Sequence, residues 1–198
     1  MSSAGSSNCR RTRAELTGGW DAAQYAWRAA TALRLRYLER LPLGTPYPEM
    51  VERVVQVARS KDLAGRCEMV VDATGVGRPV VDLLRQARPE CAILPVTITG
   101  GGGESCAGGY YHVPKRDLIA GLQVLIQTSG LQIAGGLKHG AALTAEMAEM
   151  RVKVSGPGRE QFGAWREGTH DDLVLAVALA CWGARKRVRM GEQKGRIL

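Results

Sequence analysis

The chain has 198 residues, 45% of them hydrophobic, which is enough for one domain with a substantial core. Its formal net charge is +8, from 27 basic and 19 acidic side chains, and that excess favours a polyanionic partner, most often nucleic acid. No run of about 18 apolar residues marks a membrane span, the N-terminus has no apolar signal core, and Cys9, Cys67, Cys91, Cys106 and Cys181 lack the spacing of a zinc site or disulfide framework, so a reducing cytoplasm fits.

Residues 1–17 are rich in Ser and Arg and read as a disordered tail or linker stub. Asp21 to Arg40 has helical propensity, although Leu33, Leu35 and Tyr37 alternate with Arg34 and Arg36 and could also feed a strand. After the loop from Pro42 to Pro48, Glu49 to Arg59 reads as a helix, with Pro48 suited to its first turn. Met69 to Asp72 is a short buried strand, Gly75 and Gly77 turn the chain, and Pro79 to Gln86 is a helix. Ala92 to Thr99 is a strand. The glycines from Gly100 to Gly109 are a flexible break leading into a mobile loop, Tyr110 to Arg116. Pro114 starts a helix over Lys115 to Gln127, on which Leu118, Ile119, Leu122, Leu125 and Ile126 fall at helical spacing. Leu131 to Ala134 is a strand and Ala141 to Met150 a helix. Val152–Ser155 and Phe162–Trp165 form a hairpin around Gly156-Pro157-Gly158. Asp171 to Ala184 is the last apolar helix, and residues 185–198 are a basic flexible tail. Alternating strands and helices define an α/β fold.

The strongest chemical signal is Thr169-His170-Asp171-Asp172 immediately before the apolar run Leu173 to Ala180. Two adjacent carboxylates repel unless something compensates. A helix N-terminus offers partial positive charge, and a hard divalent cation, which takes oxygen ligands, offers more. Helix capping accounts for one acid but not for both. Asp72 ends a strand, where ligands bind in open α/β sheets, or it caps the next turn. Gly75-Val76-Gly77 lacks the Gly-Lys-Ser/Thr of a P-loop and the full dinucleotide fingerprint. Tyr110, Tyr111, Lys115 and Arg116 suit a nucleic-acid strand. Arg185, Lys186, Arg187 and Arg189 could grip phosphates, or form only a solvated tail.

In this order, Asp72-Ala-Thr-Gly-Val-Gly77, His112-Val-Pro-Lys115-Arg-Asp-Leu118 and His170-Asp-Asp-Leu-Val174 resemble the C-terminal nuclease domain of the large terminase subunit of tailed phages. The helix carrying Glu146 and the Phe162–Trp165 strand also fit, and the resemblance covers roughly residues 35–184. It implies an RNase H-like fold, a central mixed sheet flanked by helices, in a domain over residues 18–184. It also implies three acidic positions binding two Mg²⁺ or Mn²⁺ ions that hydrolyse DNA. Asp72 matches the second acid and the Asp171-Asp172 pair the third, with Asp172 the direct ligand and His170 in support. Asp21, in Gly19-Trp-Asp-Ala-Ala-Gln24, is the match to the first. The stretch after Asp21 reads as helix where the family has a hairpin, so the first strand and hairpin are expected to be damaged or missing. Lys115, Arg116, Arg185 and Lys186 are candidate DNA contacts. The implied partners are double-stranded DNA and, within a packaging motor, the terminase small subunit and portal, in the cytoplasm of a bacterial host. No Walker motif occurs, so the ATPase motor is expected to be absent and the chain reads as a detached or truncated nuclease domain, a prophage remnant. Two alternatives carry different expectations. A catalytically inactive DNA-binding remnant keeps the fold with an incomplete metal site. A nucleotide-binding α/β protein uses the Gly75–Gly77 turn and has a closed apolar pocket.

Overall fold

Leu33 and Leu35 are buried while Arg34 between them stays partly exposed, and this alternation belongs to a strand. In the computed structural model, which describes residues 15–21, 26–154, 160–163 and 171–194, with side chains over 32–150 and 171–186, these leucines lie on β2 (Ala26–Leu35). β2 pairs antiparallel with β1 (Glu15–Asp21), from Glu15↔Ala32 to Asp21↔Ala26. The helix expected over Asp21 to Arg40 is therefore not formed, and the hairpin expected to be damaged or missing is present. The Ala- and Arg-rich composition gave the helical signal, but burial of alternate leucines against the core decides for a strand, since tertiary context overrides propensity. β1 also takes in Glu15–Thr17, which composition had assigned to the tail.

The chain continues through α1 (Tyr47–Ala58), β3 (Glu68–Asp72), α2 (Gly77–Ala87), β4 (Ala92–Thr99), β5 (Ser105–Ala107), β6 (Tyr110–Pro114), α3 (Lys115–Gln127), β7 (Leu131–Ile133), α4 (Gly140–Glu149), β8 (Arg151–Val154), β9 (Glu160–Gly163) and α5 (Asp172–Lys194). Among the described residues β1, β2 and β7 form one sheet in the order β1-β2-β7, with β2 and β7 parallel. A mixed sheet runs β3-β4-β6-β5, parallel throughout except at β5. β8 and β9 make a separate hairpin. Two expectations need correction here. The stretch after the glycine run is not a mobile loop, because Ser105–Ala107 and Tyr110–Tyr111–His112 pair across Gly108-Gly109, both at positive φ. The helix begun at Asp172 also does not stop at Ala184, and continues through Arg185 and Lys186 to Lys194.

Alternation along β3 and β4 separates two cores. Val70, Val96 and Ile98 pack with Leu33, Leu35, Leu118, Leu122, Leu143 and the apolar face of α5. Met69, Val71 and Ile93 point the other way, onto Val51 and Val55 of α1 and Leu84 of α2. Helices thus cover both faces of the central sheet, the α/β layering that parallel strands require. α5 lies close on β3, since a Cβ added at Gly183 would come within 2.5 Å of Val70 Cγ2. No helix among the described residues is long and apolar enough to cross a membrane.

Candidate active site

β3, β4 and β6 run parallel, so their C-terminal ends share one edge of the sheet. Asp72 closes β3 at that edge and is exposed. Its Oδ1 accepts the Thr74 N–H at 2.8 Å, the Thr74 hydroxyl accepts the Ile98 N–H at 2.8 Å, and the Ala73 N–H donates to the Val96 carbonyl at 2.7 Å. These bonds lock the loop to β4 and leave Asp72 Oδ2 without a hydrogen bond among the described residues. Gly75 takes φ +57°, a left-handed turn that suits glycine. Gly77 meets a different constraint, because a Cβ there would sit 2.3 Å from the Asp72 carbonyl oxygen. The first turn of α2 is pressed directly onto the residue that carries the carboxylate.

The second group of acids stands at the start of α5. Lys115 comes directly after β6, and its Nζ donates to Asp171 Oδ2 at 2.6 Å. The Asp171 carbonyl accepts the Leu175 N–H at 2.9 Å, the first turn of the helix, and Asp172 opens the helix with an exposed side chain. The capping carboxylate belongs to Glu146 of α4, only 9% exposed, whose Oε2 accepts the N–H groups of Leu173 at 3.0 Å and Val174 at 3.3 Å. Its Oε1 is paired with Arg40, just beyond β2. From sequence, Glu146 stood out only as a mark on a helix. A carboxylate 27 positions before the amide it accepts carries no local spacing signal of the kind a capping box gives.

The other expected residues are spread over several elements. Asp21 ends β1, opposite Ala26, in the sheet that also holds β2 and β7 and not in the sheet that holds Asp72. His170 lies outside the described residues, as do the side chains of Arg187 and Arg189. Arg116 pairs with Asp117 at 3.3 Å and Lys186 with Glu104, so these candidate DNA contacts carry local carboxylate partners. Tyr110 and Tyr111 point to opposite faces of the sheet, as successive strand residues must. Tyr111 meets Trp182 edge-on at 5.2 Å and lies under the Lys186 ammonium. A cavity of about 220 Å³ lies between α3 and α5, bordered by Asp117, Gly121, Cys181, Trp182 and Arg185 but by neither Gly75 nor Gly77.

Carboxylate oxygens are the donors a hard divalent cation selects, and Asp72 offers an open one. The donor chemistry of Asp72, Asp171 and Asp172 thus fits Mg²⁺ or Mn²⁺. Among the described residues, no three His, Cys, Asp or Glu side chains are already gathered as a metal-holding group.

The α/β fold is similar to that of a phage large terminase nuclease. The chain matches the crystal structure of the large terminase nuclease from thermophilic phage G20c with bound magnesium at a TM-score of 0.50 and 22% sequence identity, over 70% of this chain and 62% of that one. A further crystal structure of that nuclease matches at a TM-score of 0.49 and 19% identity, over 69% and 62% of the two chains. The match thus spans a little under two thirds of that nuclease. No protein-family model and no curated protein matches the chain.

Proposed function

We propose that this chain is a metal-dependent DNA endonuclease domain of the phage terminase type, hydrolysing phosphodiester bonds during genome packaging. The reading is supported most directly by the fold match together with acids at element ends: Asp72 closes β3, and Asp171-Asp172 stand at the start of α5, tied to the end of β6 through Lys115. Asp72 and Asp172 would hold the cation, with Asp171 in support and Asp21 supplied from the β1–β2 hairpin. Two bound Mg²⁺ or Mn²⁺ ions would activate water and stabilise the leaving oxygen. The residues of the chain do the rest. The Thr74 amide and the packing of Gly77 fix the Asp72 carboxylate, and Lys115 balances the charge of Asp171. On this reading the substrate is double-stranded DNA, the setting is the bacterial cytoplasm, and the terminase small subunit and portal are the partners in a motor.

A second reading, a DNA-binding remnant that does not cut, is favoured by one observation: the Lys115 ammonium already sits on Asp171. Calorimetric titration with Mn²⁺ separates the two. The nuclease reading predicts saturable Mn²⁺ binding that Asp72→Asn and Asp172→Asn each weaken. Heat of dilution alone from the wild-type chain would support the remnant.

A further inference from the structure

Of the lysines and arginines first expected to touch DNA, Lys115, Arg116 and Lys186 are each held by a carboxylate of the chain. The opposite face of the sheet differs. There α2 presents Arg78 and Arg85, two turns apart and both exposed, and the guanidinium carbons lie 5.3 and 5.6 Å from the centre of the Tyr110 ring. Arg78 has no carboxylate partner among the described residues, and Arg85 has a single long contact, 3.4 Å to Asp82. Arg88 lies at the same helix end, exposed, and Arg59 donates to the carbonyls of Ala87 and Arg88 there.

Resting on the nuclease reading, we infer that Arg78 and Arg85, held against Tyr110, grip the phosphate backbone of duplex DNA beside Asp72. An arginine held over an aromatic ring by a cation–π contact still has N–H groups free to meet phosphate oxygens in its fork geometry. The ring also fixes side chains that would otherwise lose much rotamer freedom on binding. Position adds to this: Arg78 comes directly after Gly77, whose Cα abuts the Asp72 carbonyl, so a phosphate held by Arg78 lies next to the strand end that carries the acid. The partner is a polyanion recognised through its phosphates, and phosphate contacts carry no base preference of their own.

The test is fluorescence anisotropy with a short labelled DNA duplex in chelator, from about 50 to 200 mM salt. Each arginine that neutralises a phosphate contributes about 0.9 to the slope of log affinity against log salt. Replacing both by Gln is expected to weaken binding at low salt and to flatten the slope by about 1.8, while Arg78→Lys with Arg85→Lys keeps most of the slope. Tyr110→Leu frees both guanidiniums and is expected to weaken binding with the slope retained. If the double Gln chain does not fold, the single variants, each with a loss of about 0.9, decide the matter. A folded double Gln chain with wild-type affinity and slope overturns the inference. Because no cation is present, the nuclease reading is tested separately: a chain that binds through these arginines and never cuts sinks only that reading.

Discussion

Glu146 Oε2 accepts the backbone N–H of Leu173 at 3.0 Å, so a buried side chain from α4 caps the helix on which Asp171 and Asp172 sit. A helix N-terminus leaves donors without internal partners, and a carboxylate there also meets the positive end of the helix dipole. Through Arg40 the same carboxylate ties this helix end to the exit of the β1–β2 hairpin. Glu146→Ala leaves two amides and a guanidinium short of a partner. It is expected to cost about 1–3 kcal/mol in urea denaturation, with Glu146→Gln recovering part of the loss because its carbonyl still accepts.

Gly77→Ala and Gly183→Ala separate site from scaffold. Both add a methyl where there is no room, at 2.3 Å from the Asp72 carbonyl and 2.5 Å from Val70 Cγ2, and each is expected to destabilise by about 1–3 kcal/mol. Only the first displaces Asp72. Gly77→Ala should therefore weaken Mn²⁺ binding beyond its loss of stability, while Gly183→Ala should lower the melting temperature and leave the affinity of the folded protein unchanged.

Thiol reactivity tracks burial. Burial pushes the Cys181 thiol up to about 11, and burial together with neighbouring Cys67 pushes Cys91 up to about 11, whereas Cys106 is exposed. The thiolate is the reactive form, so alkylation by iodoacetamide at about pH 8 should reach Cys106 well before Cys91 or Cys181. The rates at Cys91 and Cys181 should rise with pH until it passes about 11. Peptide mass mapping over time reads this directly. Labelling of Cys91 as fast as Cys106 would contradict it.

Acid sensitivity is expected at the junction of β2 and α1. A hydrogen bond from Tyr37, with Arg53 at 3.1 Å, holds the Glu39 carboxyl below the usual carboxylate range. A carboxyl whose pKa is lower folded than unfolded contributes stability above its ordinary value, about 4.3, and loses it as pH falls through the depressed value. The melting temperature of Glu39→Gln should lie slightly below wild type at neutral pH, with the gap closing in acid. A constant gap from neutral to acid pH would show that packing, not charge, makes the contribution.

The α/β order was legible because β4 and α3 carry strong local signals: Ala92–Thr99 is rich in apolar and β-branched residues, and Lys115–Gln127 has apolar residues at helical spacing behind a proline. The β1–β2 hairpin was not, since Ala and Arg favour helix and only the burial of Leu33 and Leu35 on the core decides otherwise. β5 was hidden because three exposed residues between glycine runs have no pattern of their own and become a strand only by pairing with β6. At the site, Asp72 and the Asp171-Asp172 pair were visible from their positions at element ends. The Glu146 cap, the Lys115–Asp171 pair and the arginine contacts of Tyr110 were not, because each joins residues far apart in sequence.

The central claim is that Asp72 and the Asp171-Asp172 pair support metal-dependent DNA cleavage, and plasmid nicking with Mn²⁺ tests it most directly. The wild-type chain should convert supercoiled DNA to open circles with Mn²⁺ and not with chelator. Asp72→Asn and Asp172→Asn should fall to the level of the chelator control, and Asp21→Asn should be impaired. Cleavage that proceeds in chelator, or that persists undiminished in Asp72→Asn, would contradict the account.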